Sequence, residues 1–169
     1  REVLNTLTVE GLLTRNPTTR ALCVTRPSQD KISEIYRVRR LLETGGVTAF
    51  ADCDDQALDP LVAATNRLVD AIDTGDYLLL VACDIDCHVE LVALSGSSDL
   101  TEFYARLLAK LQLAMADVSR SPDYDLRALR DDHLMFVALL RSRRIEEAKA
   151  IILDRLNSAE TKLLAAVAG

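Results

Sequence analysis

The chain has 169 residues, a net charge of −6, 49% hydrophobic residues and 27% charged residues. That is enough apolar material for one sizeable core, and the acidic balance excludes nonspecific nucleic-acid binding by the surface as a whole. No apolar run approaches the roughly 20 residues a bilayer-spanning helix needs, and Arg1-Glu2-Val3-Leu4 lacks the pattern of a signal peptide, so a cytoplasmic protein with no membrane partner is expected. The charge is uneven. Residues 1–27 hold four arginines against two glutamates, a net +2, while the remainder holds 16 basic and 24 acidic residues, a net −8. A small basic end and a large acidic body imply different partners for the two.

In chain order, Val3, Leu4, Leu7 and Val9 predict a helix over Arg1 to Glu10, stopped by Gly11. Leu12–Arg15 and Ala21–Val24 read as two strands around Asn16-Pro17-Thr18-Thr19, a hairpin. Pro27 and Ser28 punctuate the chain, and Ile32, Ile35, Leu41, Leu42 and Val47 mark a long amphipathic helix from Gln29 to Ala51. Asp59-Pro60 signals a helix start, with the aspartate as N-cap and the proline at N1, and that helix runs to Asp73. Gly75-Asp76 opens the next helix, which Gly96 ends; Asp99 is placed to cap a helix continuing to Ser119. Ser121-Pro122-Asp123 precedes a further helix, and the last covers Ile145 to Val167. All elements after the hairpin are helical, so a mainly α fold is expected, an antiparallel bundle of six to seven helices behind a helix and hairpin.

The chain has only two histidines, and both interrupt apolar stripes. On the segment Tyr77 to Leu94, Asp84 and His88 share a face with Leu80, Val81, Leu91 and Val92, while Asp86 and Glu90 lie opposite. His133 is flanked likewise by Leu126, Leu129, Phe136, Val137 and Leu140. A buried carboxylate needs a partner. It can orient a satisfied core histidine, or the three groups can hold a metal ion, and the pattern leaves both open. Cys23, Cys53, Cys83 and Cys87 show no C-x-x-C spacing, which implies reduced thiols; Cys83 and Cys87, beside His88, are weak alternative ligands.

Several short motifs in register resemble one family. Arg1 to Leu13 resembles the end of the recognition helix and the start of the wing in GntR-type winged helix-turn-helix regulators, and Glu34 to Glu43 resembles the opening helix of their FadR-type effector domain, called FCD. Asp84-x-x-x-His88, Leu94-Ser95-Gly96 and Asp132-His133 follow in the family's order. The resemblance implies a C-terminal part of a DNA-binding domain over residues 1–27, with the two preceding helices of the head missing, and an effector-binding and dimerisation domain over residues 28–169. It implies an operator-DNA partner, a small organic-acid effector and a homodimer. Arg1, which matches the arginine opening the family's recognition helix, is the expected DNA contact, joined by Arg15 and by Arg20, which stands where the family commonly has a wing glycine.

FCD proteins of the metal-binding type use one aspartate and three histidines. Asp84, His88 and His133 match the first three, and Arg155 stands where the last histidine would be. A guanidinium cannot ligate a metal. Two outcomes follow: a divalent ion, zinc first and nickel or manganese next, held by three protein ligands with Arg155 anchoring an acid in the remaining position; or no metal, with Arg155 and Arg39 receiving an anionic effector directly. Arg39 can instead pair with Glu43 at i+4. Asp154 would reach the site only by a rotation of its helix. The resulting reading is a transcriptional regulator and not an enzyme. The competing readings are a metal-dependent enzyme on a helical bundle, for which Asp86 and Glu90 are poorly placed as a base, and a metal-free partner-binding bundle.

Overall fold

The computed structural model describes residues 1–168. Helix α1 (Glu2–Val9) leads into a two-stranded antiparallel hairpin, β1 (Leu13–Arg15) and β2 (Leu22–Val24), with Leu13 opposite Val24, Thr14 opposite Cys23 and Arg15 opposite Leu22. The hairpin tip is organised by Asn16, whose Oδ1 accepts from the backbone N–H groups of Thr18 and Thr19, both at 2.9 Å. Arg20 closes the turn at φ 60°, a left-handed conformation that glycine adopts without steric cost. Helix α1 buries none of its residues.

Seven helices follow: α2 (Gln29–Phe50), α3 (Asp59–Ile72), α4 (Tyr77–Ala93), α5 (Ser98–Ala109), α6 (Gln112–Ser119), α7 (Leu126–Arg141) and α8 (Ile145–Ala168). Helix α4 is the axis of the bundle, packed against α2, α3, α5 and α6, while α8 lies along α2 and also meets α6 and α7. Its position explains its sequence: Leu80, Val81, Cys83, Cys87, Leu91 and Val92 are all buried, too many faces for a surface helix. Asp76 caps α4, its Oδ1 accepting from Leu78 and Leu79 N–H at 3.0 and 3.1 Å, and Gly75 and Gly96 bracket it at positive φ. Arg40 binds α2 to α8, donating to Asn157 at 2.9 Å and pairing with Glu160.

The structure corrects three boundary expectations. Asp59 is not the cap of α3; a 3-10 turn over Asp55–Leu58, capped by Asp54, runs directly into the helix and leaves Leu58 at the N-cap. Ser97 rather than Asp99 caps α5, because the extended backbone that a cap requires falls at the residue after Gly96. The single helix expected up to Ser119 is two helices, broken at Lys110-Leu111. No glycine or proline marks the break. Leu108 and Leu111 are both fully buried, and burying both in successive tight turns bends the chain so that α6 can reach α8. Packing overrides local helix propensity there.

Helices α2 and α4 touch at Gly46. A Cβ at that position would collide with the Leu91 carbonyl oxygen, backbone that cannot swing away, whereas a Cβ at the adjacent Gly45 would meet nothing within 4 Å. Gly46→Ala is therefore expected to lower stability by about 1–3 kcal/mol or more through overpacking, whereas Gly45→Ala is expected to raise it by about 0.5–1 kcal/mol through the unfolded chain. Urea denaturation of the two variants checks the contrast; equal effects would show that the helices can separate at no cost.

Candidate effector and metal site

The site is built where α2, α4, α5, α7 and α8 converge. Asp84 and His88 project from adjacent turns of α4, and His133 meets them from α7; one ligand atom from each lies within 4.8 Å of the others, and all three residues are buried. His133 Nε2 is 3.2 Å from Asp84 Oδ1, and His88 Nε2 is 3.7 Å from Asp84 Oδ2. The imidazole rings stand edge to face with centroids 6.0 Å apart.

What lies behind each imidazole decides its chemistry. His88 Nδ1 is 2.7 Å from Glu43 Oε2, and His133 Nδ1 is 2.9 Å from the carbonyl oxygen of Leu129, one turn earlier in α7. With both Nδ1–H groups donating to these oxygens, both Nε2 lone pairs face the Asp84 carboxylate. Asp84 Oδ1 is buried and has no hydrogen-bond partner, although Nε2 of His133 is close by. In this tautomeric arrangement the converging acceptors could hold a cation. The donor set fits a divalent ion that accepts imidazole nitrogen and carboxylate oxygen.

Charge reinforces this. Burial would push the Asp84 carboxyl up, but without a cation an N–H of His133 can turn to it, and that hydrogen bond together with His88 and Arg155 outweighs burial and holds it below the usual carboxylate range. Burial and the adjacent Arg155 hold His133 below its ordinary value, against the opposing pull of Asp84, so its imidazole is neutral at neutral pH, the form that can ligate. The two cysteines near the motif are not brought to the triad. Cys87 faces Thr65 at 4.0 Å, and burial pushes its thiol up to about 12.

Arg155, on α8, is mostly buried; one terminal nitrogen lies 2.9 Å from His133 Nδ1 and 3.1 Å from Nε2. Being nearly equidistant from both, it rests against the imidazole rather than along one lone pair, and its Nε faces Asp132 at 3.8 Å. Arg155, Arg39 and the triad's Asp84 and His88 border a cavity of about 200 Å³, which Tyr124, Ser119 and Lys162 also line. Asp154 is exposed at its edge and stands outside the triad. Arg39 is 2% exposed, stacks over Tyr36 at 4.8 Å and donates from Nε to Glu43 Oε1 at 2.8 Å. The i+4 pairing with Glu43 is thus formed, while Arg39 still borders the cavity. Arg1, Arg15 and Arg20 are exposed on the N-terminal unit, with Arg15 donating to the Arg20 carbonyl at 3.3 Å.

The residue that sequence reasoning undervalued is Glu43. It is 0% exposed and receives Arg39, His88 and the Tyr104 hydroxyl. The signal was present: with Ile32, Ile35, Tyr36, Arg39, Gly46 and Val47, Glu43 falls on the buried stripe of α2. Nothing local showed which imidazole it would orient, because His88 lies 45 residues away.

Among the described residues, the chain is a seven-helix bundle with a two-histidine, one-aspartate cluster inside it, preceded by a helix and a β-hairpin. Comparison with known proteins makes the class specific. The FCD domain family matches residues 34–158. The Nta operon transcriptional regulator of Aminobacter aminovorans is 23% identical over 172 aligned positions, covering all of this chain and 78% of that protein. Among solved structures, a chain described as a GntR transcriptional regulator of Rhodococcus sp. RHA1 superposes with a TM-score of 0.85 at 22% identity, over 98% of this chain and 78% of that one. McbR/YncC of E. coli gives 0.78 at 19% identity, over 96% and 77%. The metal-free FCD domain of TM0439 gives 0.63 at 14% identity, over 85% and 98%. The chain belongs to the FCD domain family, and its fold is shared with solved GntR-type regulators. The enzyme reading is set aside accordingly. No helix among the described residues is long and apolar enough to cross a membrane.

The Glu43 network carries a pH prediction. Burial pushes the Glu43 carboxyl up, but His88, Arg39 and the hydrogen bonds outweigh it and lower it to about 2, well under the unfolded value of about 4.3. A carboxyl depressed on folding contributes stability that is present above the unfolded value and is lost as pH falls towards 2. Glu43→Gln is expected to cost about 3–5 kcal/mol at neutral pH, because Arg39 is left buried beside a neutral group. Thermal melts from pH 7 to 2 should show the gap between wild type and variant closing below about pH 4; a constant gap would refute the assignment.

Proposed function

We propose that the helical domain senses a small carboxylate or other anionic metabolite at a metal-assisted site and passes the result to an operator-binding head. The observation that carries the reading is the converging set of acceptors. Asp84, with an orphaned Oδ1, and the Nε2 atoms of His88 and His133 would hold the ion, with zinc the leading candidate and nickel or manganese next. The metal would supply a Lewis-acid anchor for an anionic oxygen. Arg155 stands beside His133, where a third imidazole would otherwise complete the set, and its guanidinium is suited to the second oxygen of the same carboxylate. A bound anion would also screen Arg155 from the ion, which two neighbouring cations need. Arg39 supports the anion from the α2 side of the cavity.

In a homodimer, an effector that binds one packing of the helices better than another shifts the population between them, and so alters the spacing of two winged heads on a palindromic operator. Arg1, Arg15 and Arg20 are the expected phosphate or groove contacts, and their exposure is consistent with that role.

Elemental analysis of protein purified without added metal is expected to find one divalent ion per chain, lost in His88→Ala. Stoichiometric absence of metal from the wild type would leave only the arginine pocket. Arg155→Ala is expected to retain the metal and weaken binding of small carboxylates by about 10- to 100-fold, the loss of a charge-assisted hydrogen bond. Calorimetric titration of the metal-loaded protein measures it. If no small anion changed either thermal stability or operator affinity, sensing would be disproved.

A further inference from the structure

We propose that the short helix α6 is the mechanical link between the effector cavity and the winged head, an inference that rests on the sensing reading above and specifies its route. Two helices border both regions: α2, which gives Tyr36 and Arg39 to one and Lys31 to the other but is locked against α4 at Gly46, and α6. From its middle to its C-terminal end α6 contributes Met115, Val118 and Ser119 to the wall of the cavity that Asp84, His88 and Arg155 also line. Its first turn contributes Gln112 and Leu113 to a second cavity, of about 390 Å³, whose facing wall is Leu12, Val24 and Thr25 of the hairpin and the chain leaving it. From the middle of α6, Asp117 accepts from Nη1 of Arg26 in the segment joining the hairpin to α2, at 2.8 Å.

Three properties suit α6 to move. Its buried residues are Ala114, Ala116 and Ser119, its larger Met115 and Val118 are only partly buried, and it has no backbone lock like that of α2 on α4 at Gly46. Its N-cap, Leu111, makes no side-chain capping bond, and the helical path is already broken at Lys110-Leu111, with the fully buried Leu111 as a pivot. The contact with the head is loosely satisfied: Thr25 Oγ1 is buried without a hydrogen-bond partner in the wall that Leu113 faces. The Arg26–Asp117 pair is solvent-exposed at both ends and sets direction rather than strength, while the apolar wall around Leu113 transmits displacement. Occupation of the effector cavity presses on Met115 and Val118 and slides α6 along its small-residue face, which moves Leu113 and Asp117 against the hairpin.

The chain carries its own reporter position. Cys23, on β2, is exposed, whereas Cys53 is half-buried and Cys83 and Cys87 are buried, so an environment-sensitive fluorophore can be placed on Cys23 selectively. The labelled full chain is titrated with zinc alone and then with zinc plus acetate, while bound metal is measured by elemental analysis, in wild type, in His88→Ala and in a Leu113→Ala/Asp117→Ala variant whose two positions lie outside the effector cavity. The expected result is an emission change in wild type that follows metal binding, is absent in His88→Ala, and falls at least about fivefold in the double variant while its metal stoichiometry and melting temperature are retained. Metal bound without any emission change, with or without acetate, overturns the link and leaves metal-assisted sensing standing. A change undiminished in the double variant overturns α6 as the route. Failure of the wild type to bind zinc overturns the metal-assisted reading, and the link with it.

Discussion

A carboxylate that no water reaches is costly unless every lone pair is used, and Glu43 is the point where this bundle meets that cost. Its two oxygens receive a guanidinium from its own helix, an imidazole from α4 and a phenol from α5. Those three donors stitch α2, α4 and α5 together at one depth of the core. Removing any of them would leave an uncompensated charge in a low-dielectric interior. The close contact at Gly46 lies one turn along α2 from Glu43, so the helices approach most tightly beside the place where their polar groups must meet.

The same network reaches the site through His88. By occupying Nδ1, Glu43 fixes which ring nitrogen is free, and the Leu129 carbonyl does the same for His133. With both Nδ1 atoms engaged, the Nε2 atoms of the two imidazoles lie on the side of Asp84, an arrangement that a cation could use. Structural stability and ligand chemistry thus share one hydrogen-bonded unit, which explains why so polar a cluster is kept inside an otherwise apolar core. Arg155 places a guanidinium, which cannot itself ligate a metal, against His133 at the edge of the triad.

The packing around the site is uneven. Helices α2 and α4 interlock through backbone contact, while α6 rests on alanines and a serine and touches both the cavity and the hairpin. The triad sits on the long helices α4 and α7, and the short α6, with small buried residues, borders the cavity. That division is the arrangement by which occupation of a small cavity can be felt at a distant surface.

Much of this was legible in the residues themselves. The period of the apolar positions marked six helices after the hairpin, with α5 and α6 read as one, Gly75, Asp76 and Gly96 bounded α4, and Asp84, His88 and His133 could be read as inward-facing because each replaced an apolar residue on a stripe. Motif order along the chain indicated the FCD resemblance. Tertiary structure alone decided the rest, since it depends on distances through space between helices far apart in sequence: that Glu43 orients His88, that Arg39 is engaged by Glu43 while bordering the cavity, that Arg155 rests against His133, and that two buried leucines break one apparent helix into α5 and α6. Helical periodicity reports which face of each helix is buried; only the packing of those faces determines which side chains meet.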